Sequence, residues 1–329
     1  MLMESNKKMA HFCLLYVLRE YSDESHLLTQ KRIAELVDHH FGLQLERKSI
    51  GKNLLSLKDF GYDIVLTPKG CYWKTRELQE SEISFLVDAV FSSKSIDSKN
   101  SIKLAEKLSK FLSQNQRKKY NYIVKADEVV RTDSQEIFKN INLLNEAMEK
   151  GKQVKLKYHR FYFDKVKNET KKNRERIINP YFMVNNQGRY YLVCNLDCYD
   201  DIANYKLELI SDIKILTTDV KPITEIKGFE KGIDMVKYAN ENIYMFRNNP
   251  VDATLKINTE YAANYVLDWF GKNADFYSKN GEVFADVHVN EDALLYWCLQ
   301  YGETIELVEP EETRKKLQEK VKKISEIYK

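Results

Sequence analysis

Three apolar runs of strand length, separated by short polar turns, fill the stretch from Arg174 to Leu216, RERIINPYFMVNNQGRYYLVCNLDCYDDIANYKLELISDIKIL. Ile177, Tyr181 and Phe182 precede the hairpin-type cluster Asn185-Asn186-Gln187-Gly188, and Tyr190 to Val193 follow it. A second turn, Asp197 to Asp201, leads into Tyr205, Leu207, Leu209, Ile213 and Ile215, which keep a period of two. Upstream, Val154, Leu156 and Tyr158 alternate in the same way and supply a fourth strand. A meander this small exposes its edges, so the expected closure is a small barrel of four or five strands over residues 151–220. On the Tyr190–Val193 strand, Tyr190 and Leu192 share one side and Tyr191 and Val193 the other; one pair must be core, and the pattern does not say which.

The chain has 329 residues, more than a single core usually holds, so two or three domains are expected around this barrel. Residues 1–78 read as three helices and a hairpin. Phe12, Leu15 and Tyr16 fall at helical spacing and predict the buried stripe of the first helix. Thr29 suits the N-cap of a second helix, where Ile33, Leu36, Val37 and His40 share a face and Gly42 ends the run. The third spans Arg47 to Phe60, with Ile50, Leu54 and Leu57 inward and Gly61 at its close. Strands Tyr62–Thr67 and Cys71–Lys74 then flank the turn Pro68-Lys69-Gly70. This is the winged helix-turn-helix pattern, in which the third helix enters the major groove. With Ile50 and Leu54 in the core, Lys48, Ser49, Lys52 and Ser56 face outward, Arg47 opens the helix, and Lys69 repeats the basic character at the wing tip. These six residues are the candidate contacts to a double-stranded operator.

Residues 79–150 read as a helical connector, with Ile83, Leu86, Val87 and Val90, then Leu104, Leu108, Phe111 and Leu112, at helical spacing on either side of a polar patch from Ser92 to Asn100. Ile141, Leu144, Asn145 and Met148 form its last helix. Such apolar faces serve packing within the chain or against a second copy. Between two barrel strands lies a basic insertion with Lys165, Lys167, Lys171, Lys172 and Arg174. It reads equally as a solvated loop and as an arm steering a phosphate-bearing ligand. After a linker over 221–250, residues 251–329 follow the order β-α-β-β-α-β plus a final helix. Asn280-Gly281 is the hairpin turn and Pro310 opens that helix, so a ferredoxin-like split βαβ layer is expected. In the final helix Leu317, Val321, Ile324 and Tyr328 repeat at 4-3-4 spacing, while Glu312–Lys316 and Glu319–Lys323 are i,i+4 pairs on a solvated face. The fold class is therefore multidomain α+β.

Composition narrows the function classes. The 52 basic and 49 acidic side chains leave a net charge of only +3, so nucleic-acid binding must rest on local clusters. No apolar run approaches a membrane span, and MLMESNKK lacks the apolar core of a signal peptide. The five cysteines show no framework spacing, which fits a reducing cytoplasm. Glycine-rich phosphate loops, zinc-ligand spacings and nucleophile elbows are missing, so no cofactor, metal or catalytic residue is expected. The sharpest catalytic pairing, Cys194 with His159, lacks an orienting third group and an oxyanion signature.

The central stretch resembles the WYL domain, a small Sm/SH3-like barrel of bacterial transcription regulators. Tyr190-Tyr191-Leu192 stands where that family has its Trp-Tyr-Leu triplet, Arg176 lies four residues before Pro180, and Tyr205-Lys206-Leu207-Glu208-Leu209-Ile210 matches the closing strand, with Leu209 in place of a second basic residue. The resemblance extends to the N-terminal reader and to a C-terminal extension of the WCX kind, including the Glu306-Leu307-Val308-Glu309-Pro310 junction. It implies a cytoplasmic, homodimeric regulator, a repressor, whose barrel senses a nucleotide or single-stranded nucleic-acid effector. The implied ligand face is Tyr158, His159, Arg176, Tyr191, Lys206 and Glu208. In it the cations would hold phosphate and the tyrosines stack a base; a competing account pairs Arg176 with Glu208 as a structural closure. The alternative reading is an RNA- or ssDNA-binding accessory of a phage-defence or CRISPR system, and a thiol hydrolase built on Cys194 is a third.

Overall fold

The computed structural model describes residues 9–118, 136–164, 169–246 and 250–329, without the side chains of 160–164 and 169–172. The chain divides into two compact units, Met1–Gln135 and Glu136–Lys329.

In the first unit, α1 (Ala10–Tyr21), α2 (Gln30–Phe41) and α3 (Arg47–Asp59) precede the hairpin β1 (Ile64–Thr67) and β2 (Gly70–Trp73). The Thr29 side chain accepts from the Arg32 amide at the start of α2, and Gly42 ends it at φ 62°, a left-handed conformation that costs glycine nothing. Ile50, Leu54 and Leu57 turn α3 inward as expected. The stripe expected on α1 is rotated: Cys13, Leu14, Val17 and Leu18 fill the core, whereas Phe12 is 66% and Tyr16 43% exposed. Leu28 bridges Cys71 through two backbone bonds of 2.9 and 2.8 Å, extending the wing to a third segment. At Gly70, with φ +149°, a Cβ would stand 2.8 Å from the Leu28 carbonyl oxygen, so the bridge admits no side chain there.

Helices α4 (Glu80–Ser92), α5 (Ser98–Ser109) and the short α6 (Gln114–Arg117) complete this unit around Ile83, Val87, Ala105 and Leu112. A polar cluster ties them to the winged module. Asp23 accepts from the Ser113 hydroxyl at 2.7 Å and meets His26 Nδ1 at 2.7 Å, and Arg76 donates to the carbonyls of Arg19, Ser22 and Phe111. Burial alone would raise the Asp23 carboxyl, but the bonds from Ser113 and His26 outweigh it and hold the group below its ordinary value.

The second unit opens with α7 (Ile137–Glu149), read above as the end of the connector. Its Ile137, Leu144 and Ala147 pack instead into the sheet core with Val154, Leu156, Ile178, Leu192 and Cys194. Five antiparallel strands follow: β3 (Lys152–Asp164), β4 (Glu169–Asn186), β5 (Arg189–Leu196), β6 (Ile202–Lys206) and β7 (Ile210–Asp219). Their order is β6-β5-β4-β3-β7. The sheet curls until Tyr158 of β3 stacks on Tyr205 of β6, ring centroids 4.2 Å apart. Among the described residues no ladder joins β6 to β7, so the expected barrel does not close. The cause is the break in the run from Tyr205 to Ile215. Leu207 and Glu208 are consecutive yet both buried, which a straight strand with one covered face cannot satisfy, and the chain passes through a 3-10 turn at Leu207–Leu209.

The other face of β4–β5 is also covered. Residues 221–246, including α8 (Met235–Glu241), lay Ile226, Tyr238 and Met245 against Phe182, Tyr191 and Val193. Neighbouring Ile243 joins the next core instead. There β8 (Pro250–Ile257), α9 (Ala262–Phe270), β9 (Asp275–Lys279), β10 (Glu282–Asn290), α10 (Glu291–Tyr301), β11 (Ile305–Glu309) and α11 (Glu311–Ile327) follow in turn. The strand order is β11-β8-β10-β9, every pair antiparallel, so each strand–helix–strand passage places a third strand between the two it connects. Asn280 and Gly281 both have positive φ at the β9–β10 turn, the backbone a two-residue hairpin requires. In α11, Lys316 pairs with Glu291 of α10 rather than with Glu312, and Lys315 with Glu311 makes the intrahelical bridge.

Candidate nucleic-acid interface and ligand face

On α3 the inward Ile50, Leu54 and Leu57 fix the rotation of the helix, and Arg47, Lys48, Lys52 and Ser56 therefore stand exposed. A groove between α3 and the wing is lined by Arg47, Gly51, Leu55, Leu66, Pro68 and Lys69, and a shallower one beside it by Gln30, Lys48 and Lys52. Among the described residues none of Arg47, Lys48, Lys52 and Lys69 meets a carboxylate. Arg47 and Lys69 thus border the groove between α3 and the wing, and Arg47, Lys48 and Lys52 the shallower one beside it. Ser49 differs from the expectation of a free outward hydroxyl: it is half-buried, and the Asn53 amide donates to its carbonyl at 2.9 Å and to its Oγ at 3.3 Å. Leu55, half exposed, was not singled out from the sequence; it gives the groove an apolar patch.

The six residues expected as a ligand face are not brought together. Strand pairing sets Leu156 opposite Arg176 and Tyr158 opposite Arg174, on the face that carries the α7 core. Tyr191 pairs with Lys206 on the other face. Tyr191 is 9% exposed, packed against Phe182, Val193, Ile202 and Tyr238, and burial raises its phenol. Its ring is core and offers no platform for a base. Leu192 and Cys194 are core on the opposite side, with Tyr190 half-buried beside them, so both faces of the β5 strand are covered. His159 is held by Asn173 Oδ1 and Ser211 Oγ, each at 2.7 Å.

Glu208 is buried and its carboxylate takes Arg189 Nη1 at 2.6 Å. The ion pair expected between Arg176 and Glu208 is thus made by Arg189, which the sequence reading passed over although it opens the Tyr-Tyr-Leu strand. Arg176 donates only to the neighbouring Glu175 carbonyl at 3.2 Å among its described bonds, and Arg174 is exposed. The arm residues Lys165 and Lys167 lie outside the described residues, as do the side chains at 171 and 172. Cys194 sits in the core with Sγ 3.5 Å from the Ala203 carbonyl, on the face opposite His159, so these two do not form a catalytic pair. Among the described residues no cluster of three metal-ligating side chains occurs, and no helix is long and apolar enough to cross a membrane.

A search of curated proteins finds no match to the chain. Among solved structures, proteasome accessory factor B/C (PafBC) of Arthrobacter aurescens is 16% identical over 93% of this chain and 47% of its own, with a TM-score of 0.29. The chain thus spans about half the length of that relative. A structure titled a CRISPR Cas-related protein is 13% identical over 99% of this chain and 85% of its own, with a TM-score of 0.37. Family models account for most of the second unit: the WYL domain matches residues 139–215, from the first turn of α7 to the middle of β7, and the WCX domain matches residues 249–325. The chain carries a WYL domain followed by a WCX domain.

Proposed function

We propose that this protein is a DNA-binding transcriptional regulator that acts as a homodimer on an inverted repeat, its WYL domain answering to a nucleotide or single-stranded nucleic-acid effector. The observation that carries the reading is the set of exposed, unneutralised cations on α3 and the wing tip, Arg47 and Lys69 along the groove between them and Lys48 and Lys52 along the adjoining one. Cations without carboxylate partners release counterions when they meet phosphate, and a rigid helix beside them reads base edges. The carbonyl-bonded Asn53 and the wing bridge at Leu28–Cys71 hold that surface in place. On the WYL side, Tyr158, Arg174 and Arg176 share one face, and the two guanidiniums meet no carboxylate among the described residues, which supports them as the effector-facing set. The order of the four C-terminal strands supports a ferredoxin-like WCX layer, and the winged module, the helical segment and the WYL and WCX domains are taken as the working domains.

Binding-site selection followed by a salt titration of the Lys52→Ala and Lys69→Ala proteins tests the reading. Lys69→Ala is expected to weaken all duplexes alike and lower the salt slope by about one unit, whereas Lys52→Ala changes which bases are preferred. Recovery of the parental motif at parental affinity with Lys52→Ala would remove α3 as the reader.

A further inference from the structure

Gln30 is the first residue of α2, and the chain just before it is held in place. Leu28 is bonded to Cys71 of the wing, and Thr29 caps the helix with its side chain on the Arg32 amide. A residue next to a cap and two from a strand bridge has a fixed backbone, so its side chain departs from a set place. That place is beside α3. A Cβ built on Gly51 would stand 3.2 Å from Gln30 Nε2, closer than ordinary van der Waals contact. Glycine is among the poorest residues for a helix interior. At the fifth position of α3, its missing side chain leaves a seat for this amide.

Gln30, Arg47 and Gly51 line both the groove between α3 and the wing and the shallower one along Lys48 and Lys52. They form the saddle between the two. The Gln30 amide is half-buried there, and no hydrogen bond holds it among the described residues. The nearby amide of α3 is already committed, since Asn53 Nδ2 donates to the Ser49 carbonyl and Oγ. The long side chains around the saddle, Arg47, Lys48 and Lys52, are cations and can only donate. Among the described residues lining the two grooves, Gln30 carries the only carboxamide, a donor and an acceptor in one plane.

That geometry recognises a narrow set of partners. In the major groove adenine presents the N7 acceptor beside the N6 amino donor, which one carboxamide matches with two hydrogen bonds. Guanine presents two acceptors there, and cations suit it. A phosphate presents acceptors alone, so it would leave the amide oxygen unpaired, and the adjoining cations bind it more strongly.

We propose that Gln30 is a specificity-determining residue, reading an adenine of the operator from the start of α2, with its amide seated on α3 in the space that Gly51 leaves. The reader is then composite: α3 brings the cations and α2 the adenine contact. This deepens the α3 reading proposed above and rests on it.

Binding-site selection and duplex titration on the full chain decide it, with Gln30→Ala and Gly51→Ala beside the parent. The parent is expected to select a motif with at least one strongly preferred A·T pair. Gln30→Ala is expected to lose about tenfold or more of the discrimination at that pair and to keep the rest of the motif. Gly51→Ala puts a methyl group in the seat. It is expected to melt no lower than the parent, because alanine favours the helix and the glutamine side chain can swing aside, yet to lose the same preference. The two changes together are expected to lose no more than either alone, since they remove one contact. A Gln30→Ala protein that selects the parental motif with undiminished preference would overturn the proposal and leave α3 standing as the reader. One that weakens every sequence alike would make Gln30 a backbone contact, and the proposal falls. A Gly51→Ala protein that keeps the preference would overturn the seat. A parent that binds duplexes without selecting any motif would overturn the α3 reading itself, and this proposal with it.

Discussion

Replacing Arg189 with alanine is expected to destabilise the second unit, whereas the same change at Arg176 is not. The Arg189 guanidinium lies 2.6 Å from Glu208, with side chains 35% and 3% exposed. Removing one partner of a wholly buried ion pair costs about 3–5 kcal/mol, because the other charge is left desolvated. Arg189 is about a third exposed, so water replaces part of what is lost and about 2–3 kcal/mol remains. For a unit of this size each kcal/mol moves the melting temperature by about 2–4 °C, which gives a drop of roughly 5–10 °C in a calorimetric scan. Arg176 donates to a neighbouring carbonyl at 3.2 Å, and its removal belongs with ordinary surface substitutions at about 0.5 kcal/mol. Adding Glu208→Gln to Arg189→Ala is expected to recover stability, since a buried amide costs less to desolvate than a carboxylate that has lost its guanidinium. An Arg176→Ala loss equal to that of Arg189→Ala, or a double mutant no better than the single, would refute this assignment of the closing pair.

Tyr191→Ala is expected to cost about 3–5 kcal/mol of stability, as buried aromatic truncations do, while Tyr191→Phe costs little; a Tyr191→Ala protein that melts normally and loses only effector response would return the ring to the ligand face. The Asp23 carboxyl is depressed in the folded chain, so its contribution is present above the ordinary carboxylate value and is lost as pH falls through the lower folded value. Melting of the first unit, followed by circular dichroism, should therefore hold down to about pH 4 and fall below it, with a shallower fall in Asp23→Asn. A thiol probe on the native protein at neutral pH is expected to label Cys198 and to leave Cys194 and Cys298 silent; burial pushes the Cys298 thiol up to about 12, and labelling of Cys194 would reopen a thiol-enzyme reading.

The C-terminal domain was the most legible part of the chain, because its punctuation is local. Asn280-Gly281 can form its turn without help from the rest of the chain, and Pro310 marks the start of α11 by lacking an amide. The third helix was legible for the same reason: Ile50, Leu54 and Leu57 are three of its four large apolar residues, and one rotation buries those three and leaves Leu55 out. Helix α1 carries apolar residues on nearly every side, and periodicity there cannot separate Phe12 and Tyr16 from Leu14 and Leu18. The tertiary partners chose.

What lies over the second face of β5 was not legible for a deeper reason. Alternation along β5 says that one pair of side chains is core, and an antiparallel sheet can leave its other face to water. In this chain the second face is covered by Ile226, Tyr238 and Met245, which arrive from more than thirty residues downstream in a segment with no strand period of its own. Nothing within β5 records that visit. The same segment ties the two named domains together. Asn186 and Gln187 of the β4–β5 turn donate to the carbonyls of Asn242 and Ile243, and the Asn290 amide that opens α10 reaches Asn242 Oδ1 at 3.3 Å. The first turn of α10 is therefore tied to the β4–β5 turn through the segment that carries Asn242. Asn242→Ala removes an acceptor of the Asn290 amide and the bond from its own amide to the Tyr238 carbonyl. Each lost bond at such a buried position costs about 1 kcal/mol, so the substitution is expected to lower the melting temperature of the second unit by several degrees. A calorimetric scan with an unchanged transition would mean that Asn242 is not what holds this segment in place.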